Sequence, residues 1–464
     1  MRHISHARGL CAALEEEQVV ADAVAEAMPV VPAIPDAAES PESAMLEVQE
    51  QSFEGEEQAD QVDTAVDVSE ALAEYQEVLT DVAGQGGLST ESLQILNIGL
   101  KYCYSQVGLS NTSVSMEGYT SRKDLTNAAM ESIAEKAGTL FKAIVEAIKR
   151  GIQWLVEFFK NIFSSTKRMQ ARAAKLKELS KTVGMTDSKQ ELDNAQSIVA
   201  KLSMAGRVDA VQATEVTKRF VSKAMFPMYS EVTKIVASLG KTITDQKEAD
   251  NFGNTMNAVV GNMRSISKLS FNGNVLPGEF SFKIDAEGIN SALDKAVAID
   301  LRDSNRDPLK SKLTRVTSLI GEAITAAKNS IEFSAAGAGS SSEKLPVLNV
   351  SDIQHSLANV EDILAEVRRF ETEGKKLEQE CNRILTKSTI VHNIVKLNTI
   401  DLQQVLRGEI LKVTSRFLSL GNYICTKTMS VGLNVSKATM DYCELSLKKV
   451  SSEKMSSSTA MVPA

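Results

Sequence analysis

Apolar residues recur at steps of three and four along most of the chain, the period of an amphipathic helix. Val62, Val66, Ser69, Leu72, Tyr75 and Leu79 mark the first such face, over 62–82, and Gly84, Gly86 and Gly87 stop it. Ser89 is placed to cap a second helix, 90–106, in which Leu93, Leu96, Leu100 and Tyr104 share one side. Helix resumes near 122 and is most amphipathic over 140–163. Lys142, Glu146, Lys149, Gln153, Glu157 and Lys160 form a narrow polar stripe there. Opposite it lies a broad apolar face that includes Phe141, Ile144, Ile148, Ile152, Leu155, Val156, Phe159 and Phe163, with Trp154 and Phe158 on its flank. The helix runs on or restarts at Ser164 and Ser165.

Further along, Leu192, Ala195, Ile198, Val199 and Leu202 predict an amphipathic helix, and 211–226 another, ended near Pro227. The segments 231–247, 251–267 and 309–333 read as helix, with a polar loop at 303–308. Phe271, Phe280, Phe282 and Ile284 alternate with polar residues around Asn272-Gly273-Asn274 and Pro277-Gly278, which predicts a β-hairpin near 270–285. Residues 335–342, all Ala, Gly and Ser, read as a flexible linker. Ser351-Asp352-Ile353-Gln354 resembles a capping box. A long helix follows, carried by Ile353, Leu357, Val360, Leu364, Val367, Phe370, Gly374, Leu377, Cys381 and Ile384. Two more helices are expected near 401–420 and 431–450, and a frayed tail from 456. The fold class is mainly α: an acidic leader 1–117, a helical body 118–335 with one small β-hairpin, a linker 336–350, and a C-terminal long-helix bundle 351–464.

Composition supports this. Aromatics are 5%, with 9 Pro and 25 Gly in 464 residues, too few breakers for a sandwich or propeller. Charge changes the picture more. The net charge of −9 is the average of two unlike parts. Residues 1–117 hold 22 acids and three bases, giving −19, and 118–464 hold 38 acids and 48 bases, giving +10. Four prolines (Pro29, Pro32, Pro35, Pro41) stand in the first part of the leader, where like charge and scarce aromatics predict disorder to about residue 60. An acidic segment joined to a basic body reads either as a plain acidic tail or as an electrostatic mask removable by proteolysis.

The charge boundary falls at Ser115-Met116-Glu117-Gly118, in a polar run suited to protease access. Ser52-Phe53-Glu54-Gly55 repeats the pattern inside the leader. These motifs and the acidic leader resemble the internal head proteins of giant phiKZ-like phages. That resemblance implies a propeptide that the prohead protease removes by cutting after the Glu of Ser/Ala-x-Glu. It implies a virion structural protein of the phage head interior, folded first in the host cytoplasm and packaged with the genome. A cut after Glu117 would leave the +10 body.

The densest basic run supplies candidate phosphate contacts: Lys160, Lys167, Arg168, Arg172, Lys175, Lys177 and Lys181, against one acid, Glu178. Such a run binds phosphate without reading sequence. The expected partner is packaged DNA, bound non-specifically, or the inner capsid surface. The face of Phe141, Ile148, Trp154, Leu155, Phe158, Phe159 and Phe163 has two readings. It is a packing face between helices, or an interfacial membrane surface of an ejected protein. A non-enzymatic helical scaffold with an acidic tail is the remaining alternative. There is no P-loop, nucleophile elbow, dinucleotide glycine pattern or zincin helix. Five scattered cysteines and four histidines show no zinc spacing. No enzyme activity, cofactor or metal is expected, and the sequence sets no oligomeric state.

Overall fold

Long runs of three- and four-residue apolar spacing become long helices. The computed structural model describes residues 64, 67–68, 71–72, 74–76, 78–107, 121–183, 190–193, 195–242, 248–269, 271, 275–278, 280–299, 306–330, 334–335, 344–392 and 402–459. Its helical residues within 64–84 form α1. α2 is Thr90–Gln106, with Ser89 Oγ accepting from the Ser92 amide as the cap requires. Gly86 and Gly87 between them have φ of +109° and +90°, a backbone open mainly to glycine. Gly87 also lies against the backbone of Arg122, leaving no room for a Cβ.

α3 is one uninterrupted helix, Arg122–Val183, of 62 residues, about 90 Å long at 1.5 Å per residue. Ser164, Ser165 and Thr166 do not break it. The hydroxyls of Ser165 and Thr166 donate to the carbonyls of Asn161 and Phe163, within the helix itself. Short pieces follow: β1 (Glu191–Leu192), α4 (Gln196–Leu202), β2 (Ser203–Met204) and β3 (Arg207–Val208). The helix expected through Leu192 and Ala195 is therefore only α4, seven residues long. β2 and β3 pair through Ala205 and Gly206, at φ +51° and +75°, the two positive φ angles of a type I′ hairpin turn.

α5 (Ala210–Phe220) passes through a π-helical turn, Val221–Met225, directly into α6 (Phe226–Thr242). The stop expected at Pro227 does not occur. A π-helical turn, the usual one-turn irregularity of a continuous helix, stands directly before α6. α7 is Glu248–Ser267, and β4 (Val275–Leu276) and β5 (Phe280–Ser281) form the expected hairpin around Pro277 and Gly278. That hairpin gains a third strand, β6 (Ser334–Ala335), which follows α8 (Ala286–Val297) and α9 (Arg306–Asn329) in sequence. β7 (Leu345–Pro346) pairs with β1, so the described residues carry three small sheets instead of one hairpin.

The end of the expected linker is held in place. Val347 N–H donates to Gln190 O, Leu348 N–H to Ser446 Oγ, and Tyr442 Oη to Pro346 O; 336–343 lie outside the described residues. α10 is Val350–His392, which starts two residues before the helix that a Ser351 cap would open. Its cap is Asn349, which accepts from the Asp352 amide and donates to the Asp352 carboxylate. The last helix, α11, runs unbroken over Leu402–Thr459, where two helices were expected. Gly421 is not a stop. It is a notch facing Leu377, whose Cδ2 would stand 3.0 Å from an added Cβ.

The core forms where α3, α10 and α11 pack on one another, with α5, α6 and α9 closing around α11. Every residue from 409 to 422 is buried. A buried helix can satisfy hydroxyls with its own carbonyls. Thr414, Ser415 and Thr428 do so by donating to their own helix carbonyls. Residues 44–464 form one compact unit, so the segments read as body and C-terminal bundle share a single core.

Candidate functional site

The surface of α3 divides as its sequence pattern required. Lys142, Glu146, Lys149, Gln153, Glu157 and Lys160 are all exposed. Ile148, Trp154, Leu155, Phe158 and Phe159 are buried, with Trp154 stacked on Phe158 at 4.6 Å between ring centroids. This face packs against α10 and α11. Phe159 enters a notch at Gly374 of α10, where an added Cβ would stand 2.1 Å from Phe159 Cε2. Two members of the expected apolar face differ: Val156 and Phe163 are exposed, and Arg368 of α10 lies over the Phe163 ring at 5.2 Å. Phe141 lies within α3. No helix of the described residues is long and apolar enough to cross a membrane.

The basic run does not act as one surface. Lys160, Lys167, Lys175 and Lys181 are exposed, and Lys181 pairs with Glu178 one turn back. Arg168 is half-buried. Arg172 turns inward to α11 and meets Asp441 at 2.8 Å and Glu444 at 2.6 Å. Burial opposes its charge, but hydrogen bonds and attraction from the two carboxylates outweigh it and raise its pKa. Burial likewise raises the Glu444 pKa less than Arg172 and Lys448 lower it, so that carboxyl is held below its usual range. Lys177 reaches Glu361 of α10 at 2.8 Å. The outward-facing bases of the run are thus Lys160, Lys167, Lys175 and Lys181, the last of them paired with Glu178.

Both Ser-x-Glu-Gly motifs, Ser52 to Gly55 and Ser115 to Gly118, lie outside the described residues. The elements flanking the second are described. α2 ends at Gln106, and α3 begins behind Ser121, whose Oγ accepts from the Asp124 amide and donates to its carboxylate. A cut after Glu117 would therefore break no described helix.

The described part of the leader is a helical hairpin with its own place in the core. Val68, Leu72, Leu79, Leu88, Leu93, Leu96 and Leu100 are buried there. Tyr75 of α1 closes on Gly99 of α2. Leu88 N–H donates to Thr126 Oγ1 of α3. Asp67 of α1 accepts from Arg416 of α11 at 2.7 Å. Arg416 fits because Gly321 of α9 has no side chain where its guanidinium lies. Asp67 stands at an open pocket of about 500 Å³ between α8, α9 and α11, lined also by Asp285, Lys295, Glu322 and Arg416. Beside it, Glu409 accepts from Thr317 and Lys412, both buried. Sequence reading passed over this seam. Its only signal was charge at 409, 412 and 416, on one face of an otherwise apolar helix.

The four described cysteines, Cys103, Cys381, Cys425 and Cys443, are buried and form no disulfide. Burial pushes the Cys443 thiol up to about 12 and raises Cys381 and Cys425 as well, which keeps them protonated and unreactive. No group of three or more metal-binding side chains occurs among the described residues. His355 is exposed on α10.

Long helices around a buried central helix, with ion pairs between helices and an acidic hairpin, make the described residues an all-α assembly. A model of the phiKZ-like phage internal head proteins matches residues 42–445, and the chain belongs to that family. It is a virion protein of the phage head interior. No curated protein and no solved structure matches it.

Proposed function

We propose that this internal head protein is made as a precursor and matured by the prohead protease, which cuts after Glu117. The released basic body then lies against packaged DNA through Lys160, Lys167, Lys175 and Lys181. The observation that carries this reading is the coincidence of motif and charge: −19 before the scissile bond and +10 after it. The bond falls between a helix that ends at Gln106 and one that begins at Arg122. A cut at Glu54 would remove 11 acids and two bases and leave a neutral chain, a weaker change, so 117 is the site that matters. Terminal sequencing of the protein from mature particles tests this directly. Gly118 as the N-terminal residue is the expected result, and a mature particle whose copies all retain Met1 or Arg2 rejects it. Particles carrying Glu117→Gln should retain the leader.

A further inference from the structure

Two exposed stripes of identical spacing lie on opposite sides of that bond. On α2, Ile95, Ile98 and Tyr102 are 72%, 70% and 67% exposed. With exposed Glu91 they step by four, three and four along one side. The other side of α2 buries Leu93, Leu96, Leu100 and Tyr104, so the helix is apolar on both sides. On α3, exposed Val156, Lys160, Phe163 and Lys167 step by four, three and four in the same way. The first stripe is apolar with an acid at its end and belongs to the −19 leader. The second is apolar and cationic and belongs to the +10 body.

Set antiparallel, the stripes match position by position. Glu91 faces Lys167, Ile95 faces Phe163, Ile98 meets the methylene stem of Lys160, and Tyr102 faces Val156. They cannot meet within one chain. Leu88 and Thr126 hold the hairpin at the start of α3, and Val156 lies about 45 Å further along that helix at 1.5 Å per residue. We propose that, in the precursor, the outer side of α2 docks on the Val156, Lys160, Phe163 and Lys167 stripe of a second copy of this chain. The contact is head-to-tail, so copies add on in succession, into open chains or, where the rotation closes, into a ring. Each stripe covers only three turns, less than the roughly 800 Å² per partner of a standard interface. Association is therefore weak, dependent on concentration and reduced by salt. The consequence of docking rests on the maturation proposed above, since a cut after Glu117 severs the covalent tie between the two stripes. The docking itself does not.

Analytical ultracentrifugation of the uncut full-length chain tests it, and failure of cleavage leaves this assay unaffected. At low salt the average mass should climb with concentration, and high salt should return it to the monomer. Ile95→Ser with Ile98→Ser disables one stripe, and Lys160→Glu with Lys167→Glu disables the other. Each variant alone should stay monomeric with unchanged melting, because all four residues are exposed. Mixed one to one, the two variants should pair and stop at the dimer. A chain combining Glu91→Lys with Lys167→Glu should associate again. A monomeric wild type, a body-stripe variant that associates as wild type does, or a variant mixture that fails to pair overturns the proposal.

Discussion

Arg172 sits in the densest basic run of the chain, yet its charge is directed inward. Asp441 and Glu444 stand about 270 positions away in sequence, and no local pattern ties them to it. The pair has a pH signature. The folded pKa of Glu444 is depressed, so its contribution is complete above the unfolded carboxylate value and is lost as pH falls through the lower folded one. Urea denaturation should therefore show stability declining below about pH 4, and Glu444→Gln should flatten that decline. Two backbone positions give opposite tests. Gly374→Ala forces a Cβ into Phe159 and should cost about 1–3 kcal/mol in chemical denaturation. Ala205→Gly relieves an L-residue at positive φ and should gain about 0.5–1 kcal/mol. Sequence placed Gly374 on the apolar spacing of the long helix and passed over Ala205, because a two-residue strand leaves almost no alternation to detect.

Elements were read well where periodicity was long and poorly where a breaker carried the decision. α2 has the bounds and cap expected of it, and the polar stripe of α3 is exposed residue for residue. Pro227 was read as a stop because proline weakens an isolated helix, and Gly421 stands in the gap left between two expected helices. Helix continues through both, the first just after a π turn and the second with Leu377 filling the glycine notch. The leader hairpin is the element whose role changed most. Its acidic surface suggested a loose mask, but its apolar side is buried with the core and Asp67 meets Arg416. Asp67 is largely exposed while Arg416 is buried, so solvent screens much of the pair. Asp67→Asn should cost only about 1 kcal/mol. Hydrogen exchange should place the loosening in α1 and α2 and leave α10 unchanged.

At the scale of the whole molecule, charge and core pull on the leader in opposite senses. Removing it reverses the sign of the chain, while its buried leucines tie it to the body. A chain engineered with a specific protease site between 117 and 118 separates the two effects. Before cutting, it should bind duplex DNA weakly. After cutting and removal of the fragment, the body should bind it with a log–log salt slope of about −3 to −4, the value for four lysine–phosphate contacts. Lys160→Glu with Lys167→Glu should roughly halve that slope. A cut body with no affinity for DNA would point to the inner capsid surface as the partner instead.

The helical class, the amphipathic faces of α2 and α3, and the charge boundary at 117 are legible along the chain. Each of these is written in neighbouring residues, by spacing or by sum. Which charges turn outward, which glycines are notches, and that the leader hairpin belongs to the core follow from the packing of distant segments. Those outcomes depend on side chains brought together from hundreds of residues apart. A lysine that meets solvent and an arginine that meets two carboxylates look alike until the partner helix is in place.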